Sequence, residues 1–187
     1  YYEIPAALDV ETSKTGLDQK HDFAFVYLWA LAIGECVFYG RTPEELAEFI
    51  PVIKAELRLA VDFRLVVYVH FLKYDFSFLK RYLLVENDGF IARSSHEPLR
   101  IMIEGCMELR DSYTYTEQSL EIMGREIGLH KVSGFDYDEI RTPETALRSD
   151  ELHYQENDVL ILTKYFERES NFYYFTPSRK MLLRCTK

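Results

Sequence analysis

Ala6-Ala7-Leu8-Asp9-Val10-Glu11-Thr12 is the stretch around which this chain is organised. An apolar run delivers two carboxylates one residue apart. Alternate side chains of a strand share a face, so Asp9 and Glu11 point the same way. Two like charges side by side on a half-buried strand are costly without a cation between them. Hard divalent cations favour carboxylate oxygen, so a divalent metal is the simplest cation to propose. An acid-x-acid pair is also what a polar strand end in solvent looks like, and the residues that follow decide between the two.

Outward from that strand, Phe23 to Leu31 and Cys36 to Tyr39 are rich in β-formers and part at Gly34. With Leu8 to Glu11 they predict a three-strand meander. Thr42-Pro43-Glu44-Glu45 is a helix start, with Thr42 as N-cap, proline at the first helical position and glutamate three after the cap. Leu46, Phe49, Ile50 and Ile53 continue at helical spacing, and Pro51 is expected to kink or end the helix nearby. Leu65 to His70 is a continuous apolar run that predicts a strand buried on both faces. Phe78, Leu79, Tyr82 and Leu83 predict a helix that ends at Asn87-Asp88-Gly89. Asp75 therefore falls where a central strand gives way to a helix, the end of an open α/β sheet at which ligands gather.

Phe90 to Arg93, Arg100 to Glu104 and Met107 to Asp111 read as short strands, with turns at Ser94-Ser95 and Gly105. Leu120, Met123 and Ile127 restore helical spacing, stopped by Gly128. Lys131 to Ser149 reads as irregular, and Asp150 to about Glu167 as the last helix. Tyr154 and Asp158, four apart, share one of its faces. Beyond Asn171 the pattern dissolves. The order of elements predicts an α/β layered domain with a mixed sheet.

Composition bounds the reading. A chain of 187 residues buries one sizeable core, and 48% apolar content with 14 Tyr and 13 Phe excludes a disordered chain. No uncharged apolar run reaches the about 18 residues of a membrane span. The chain opens at Tyr1 without a basic-then-apolar leader, so no signal peptide is read. Cys36, Cys106 and Cys185 fit neither metal nor disulfide spacing and are expected as free thiols in a cytoplasmic protein. A net charge of −9 argues against a stand-alone nucleic-acid binder. A nuclease whose acids are neutralised by metal ions escapes that argument in part. Basic residues cluster at Lys80-Arg81 and from Arg179 to Lys187, and both clusters read as solvated surface.

Asp9-x-Glu11, Tyr74-Asp75 and Tyr154-x-x-x-Asp158 together resemble the three motifs of the DEDD exonucleases, in their tyrosine-bearing subclass. Members are 3′–5′ exonucleases with a ribonuclease H-like fold. Tyr68-Val69-His70-Phe71-Leu72-Lys73-Tyr74-Asp75, Asp111-Ser112 and Asp136-Tyr137 narrow the resemblance to the proofreading domain of protein-primed, phage-type family B DNA polymerases.

The resemblance implies a central mixed sheet flanked by helices and two divalent ions, Mg²⁺ or Mn²⁺. Asp9, Glu11 and Asp158 would hold the ion that activates water, and Asp9 and Asp75 would share the second. Two such ions about 3.5–4 Å apart serve phosphodiester hydrolysis. Tyr154 would orient the attacking water, since a phenol of ordinary pKa, ~10, is too weak a base to deprotonate it. Single-stranded DNA contacts are implied at Thr12, Tyr68, His70, Phe78 and Ser112.

This chain departs from the family at Phe71, where an asparagine is usual, which predicts altered binding of the terminal nucleotides. Lys131 is the nearest candidate for the family's helper lysine, one residue out of register with Asp136-Tyr137. The domain organisation read from the sequence is an exonuclease domain over 1–170 and the start of a linker over 171–187. The remainder of a polymerase would follow, and a priming terminal protein is an implied partner, in a bacterial, phage or mobile-element setting. The alternatives are a catalytically weak or inactive module that binds DNA or a priming protein, and a free-standing nuclease acting on RNA or oligonucleotides.

Overall fold

In the computed structural model, which describes residues 1–14, 23–94, 97–132, 136 and 139–175, seven strands form one mixed sheet. The strands are β1 (Ala6–Lys14), β2 (Ala24–Ile33), β3 (Cys36–Gly40), β4 (Leu65–Val69), β5 (Val85–Ser94), β6 (Glu97–Ile103) and β7 (Met107–Asp111). Their order across the sheet is β3-β2-β1-β4-β7-β6-β5. β1, β2 and β3 make the expected antiparallel meander. β4 lies parallel to both β1 and β7, and β7, β6 and β5 pair antiparallel. The architecture is the α/β mixed sheet with flanking helices that the sequence predicts.

Two apolar layers hold the helices to the sheet. On one face Leu8, Val10, Leu31, Leu65, Val67 and Val69 pack with Leu46, Ile50 and Ile53 of α1 (Pro43–Glu56) and with Leu72 and Leu79 of α2 (Leu72–Leu79). On the other, Ala7, Ala30 and Ala32 pack with Leu120 and Met123 of α4 (Leu120–Glu126) and with Val159, Ile161 and Leu162 of α5 (Ser149–Phe175). A one-turn helix, α3 (Ser112–Thr116), follows β7 directly. The alternation along β1 thus sends Leu8 and Val10 to one layer and Ala7, Asp9 and Glu11 to the other. Small alanines under α5 allow the helix close to the sheet, and the Gln155 side chain donates from it to the Asp9 carbonyl at 2.9 Å.

Several boundaries differ from the sequence reading. Pro51 does not stop α1, which runs on to Glu56 with the proline on its exposed side. The capping box at Thr42 and the buried stripe opposite Pro51 carry the helix to Glu56. α2 begins earlier, at Leu72, and stops at Leu79, while Asn87-Asp88-Gly89 lies within β5. Gly89 is not a helix stop there: a Cβ on it would come within 2.2 Å of the Met102 Cβ, so glycine lets β5 lie against β6. β4 is buried on one side by Leu65, Val67 and Val69, whereas Val66 and Tyr68 opposite are half-buried. α5 runs on to Phe175, since no glycine or proline interrupts the chain between Ser149 and that point. Gly134, Tyr137, Ser95 and the Arg179 to Lys187 cluster lie outside the described residues.

Candidate active site

Three separated pieces of chain meet at one cavity of about 1000 Å³. β1 brings Asp9 and Glu11, α2 brings Asp75, and α5 brings Tyr154 and Asp158; all five line it. The approach of Asp75 depends on a turn at Phe71, whose left-handed backbone (φ 62°, ψ 54°) swings the chain from the end of β4 into α2. Tyr154 and Asp158 sit on the sheet-facing side of α5, both almost fully buried.

The carboxylates are held in an environment that disfavours their charge. Burial, then the charge of Asp158, pushes Asp9 up to about 7. Burial, then Asp9 and Asp158, pushes Glu11 up to about 9. Asp75 is raised well above the ordinary carboxylate range by burial and by Asp9, Glu11 and Asp111. Asp158 is raised by burial against the opposing pull of Lys131, whose ammonium lies 3.2 Å from its Oδ2. The same ammonium lies 5.5 Å from the centre of the Tyr154 ring. Buried like charges with raised proton affinity, gathered in a cleft, are a physical mark of a functional site.

The donor chemistry fits a hard cation. Asp75 Oδ2 and Asp158 Oδ1 are buried without a hydrogen-bond partner, a state that is costly unless a proton or a metal meets the oxygen. All four acids offer only oxygen, the ligand that Mg²⁺ and Mn²⁺ prefer. Among the described residues, however, no three His, Cys, Asp or Glu side chains stand close enough as they lie to hold one ion. The acids face one cavity without forming a finished cage.

The residues expected at a nucleic-acid strand divide. His70 lines the cavity, its Nδ1 2.9 Å from the Oγ of the fully buried Ser112. Burial and the charge of Lys131 push the imidazole down to about 4, which keeps it neutral at pH 7. Thr12 reaches the cavity through Tyr74, its Oγ1 2.7 Å from that phenol oxygen. Phe78 meets the same Tyr74 edge-on at 5.2 Å while packing against the core. Tyr68 lies flat on Phe166 of α5, ring centres 3.4 Å apart. It belongs to the packing under that helix.

Other residues at the site were not singled out from sequence as site residues. Gln155 ties α5 to β1, and Asp111 lines the cavity and caps α3 by accepting from the Thr114 N–H at 2.9 Å. Arg141, almost fully buried, pairs with Glu151 of α5, while its own N–H donates to Ser13 Oγ at 2.9 Å. It joins the end of β1 to the start of the last helix. Only the Asx-type cap at Asp111 carries a local signal; the other two are contacts between residues more than a hundred positions apart or on an irregular segment.

No family model and no curated protein matches the chain. Solved structures do. Phi29 DNA polymerase complexed with single-stranded DNA superposes with a TM-score of 0.67 at 16% identity, over 89% of this chain and 31% of the polymerase. Its orthorhombic crystal form gives a TM-score of 0.64 at 15% identity, over 94% of this chain and 32% of that one. The chain thus spans about a third of the length of the polymerase it matches. What is shared is the fold, an α/β architecture with one mixed sheet flanked by helices.

Proposed function

We propose that the chain is a metal-dependent 3′–5′ exonuclease domain acting on single-stranded DNA ends, the proofreading part of a protein-primed family B DNA polymerase. One observation carries the reading: four acids from the first strand, the second helix and the last helix line one cavity beside Tyr154. The likeness in fold to Phi29 DNA polymerase supports it. Asp9, Glu11, Asp75 and Asp158 would hold Mg²⁺ or Mn²⁺, and ions bound there supply an acidified water and neutralise charge on the leaving oxygen.

The chain's own groups do the rest. Ligation requires Asp9 and Glu11 to give up the protons that burial favours, so ion binding and deprotonation are linked. Tyr154 turns its hydroxyl towards the attacking water and orients it. Lys131 offsets the charge on Asp158 and opposes the rise in proton affinity that burial imposes on that carboxylate. A strand entering the cavity meets neutral His70, which hydrogen-bonds without drawing the phosphate away from the acids.

A second reading, a module that binds DNA or a priming protein without cutting, is favoured by the absence of a finished three-acid cage among the described residues. Hydrolysis of a 5′-labelled single-stranded oligonucleotide with Mg²⁺ or Mn²⁺ separates the two. The expected result is a ladder shortening from the 3′ end that Asp9→Ala/Glu11→Ala abolishes. No cleavage by a folded sample with either ion would leave the binding module.

A further inference from the structure

Phe71 is an unusual residue for its place. It stands at the N-cap of α2 with a positive φ of 62° and makes no side-chain capping bond. Bulky side chains rarely adopt that conformation, and asparagine or glycine would hold it with less strain. It also leaves 49% of its surface exposed, on the wall of the cavity that holds the acids. Backbone strain together with an exposed aromatic face is a double cost to the fold, and an outlier of this kind points to a use.

The ring is nevertheless held firmly. Tyr113 of α3 stacks on it at 4.4 Å with 29° between the planes. His70 meets it edge-on at 4.6 Å, and His70 is itself fixed by Ser112. A ring braced in this way loses little freedom when something flat lands on its open side. Unpaired bases stack on aromatic faces whatever their sequence.

We infer that Phe71, braced by Tyr113, is a stacking platform for the 3′-terminal base of the single-stranded DNA drawn into the cavity. The inference rests on the exonuclease reading for its substrate. It goes further by assigning the grip on that base to π-stacking, where a hydrogen-bonding side chain at this position would read base or sugar edges. The end of the strand is then held by its aromatic area, purines more tightly than pyrimidines, and an abasic end poorly.

The test is equilibrium binding of an oligonucleotide carrying a 3′-terminal 2-aminopurine, whose fluorescence falls on stacking. It is run in the Asp9→Ala/Glu11→Ala background so that the strand stays intact. Quenching on binding is expected. Phe71→Ala and Phe71→Leu should lose it and bind roughly tenfold more weakly or worse, while Phe71→Trp keeps both. An abasic 3′ end should cost the parent protein that same factor and cost Phe71→Ala nothing further. Phe71→Asn should bind weakly yet melt about 2–4 °C higher, since asparagine holds the left-handed backbone with less strain.

Binding without quenching, or equal affinity in Phe71→Ala, overturns the platform and leaves the nuclease reading standing. So does a Phe71→Asn variant whose melting falls along with its binding, because Phe71 would then be packing alone. Quenching by a protein whose wild type never shortens the strand keeps the platform and removes the nuclease.

Discussion

Glu11 carries the strongest tension between folding and chemistry. Its carboxyl is pushed up to about 9 by burial and by the neighbouring acids, so the metal-free fold would rather hold it neutral. Glu11→Gln removes the charge and keeps the shape. At pH 8 without divalent ions this variant should melt about 2–4 °C above the parent, the shift that ~1 kcal/mol gives in a domain of this size. It should also fail to shorten a labelled oligonucleotide. Thermal melting and the cleavage ladder read the two effects separately, and a variant melting below the parent would contradict the account. The sequence already pointed to Asp9, Glu11, Asp75, Tyr154 and Asp158, because strand alternation and helical spacing are local rules that a motif can display. The strained backbone of Phe71 and its partner Tyr113 were out of its reach, since neither a φ angle nor a stack between residues of different helices leaves a periodic trace.

Helices and strands were read well where a face is apolar and poorly where a single residue was taken as a signal. The meander and the start of α1 follow from patterning and capping chemistry, and they stand as expected, while β4 forms where its apolar run predicts but is fully buried on one face only. Gly89 is no helix stop because a tertiary contact, the close approach of β6, decides its use rather than its backbone alone. Gly124 makes the same point for α4. A Cβ there would lie 2.4 Å from the Leu129 carbonyl and 3.0 Å from Ile161 of α5. Gly124→Ala should therefore destabilise the domain by roughly 1–3 kcal/mol through overpacking, against the usual gain of alanine in a helix. Because Ile161 lies one turn beyond Asp158, the variant should lower cleavage as well. Denaturant unfolding and oligonucleotide hydrolysis measure the two. Unchanged stability would mean that the Leu129 turn yields freely.

The whole domain inherits a pH dependence from its acid cluster. An unfolded Asp9 or Glu11 titrates near its ordinary value, 3.8 or 4.5, whereas the folded ones hold protons to about 7 and about 9. Between those limits the folded state binds more protons than the unfolded, so stability is full at the acid end and falls as pH rises. The metal-free domain should melt lower at pH 9 than at pH 6. Millimolar Mg²⁺ or Mn²⁺ should raise the melting temperature most at the alkaline end, where the carboxylates are charged and ligation adds mass-action stabilisation. A melting temperature flat across this range, with or without the ions, would refute the description of the cluster. The layered plan could be foreseen because the succession of strands and helices along the chain limits which layers can bury their apolar faces. How closely α5 approaches β1 could not, since it depends on the small residues Ala7, Ala30 and Ala32 meeting the Gln155 side chain across the chain's length. That span has a consequence during synthesis. Asp9 and Asp158 are supplied by β1 and α5, so a nascent chain holds only part of the site until α5 has left the ribosome and docked. On the exonuclease reading, translation products that stop short of α5, however well their early strands pair, would be unable to shorten a DNA strand.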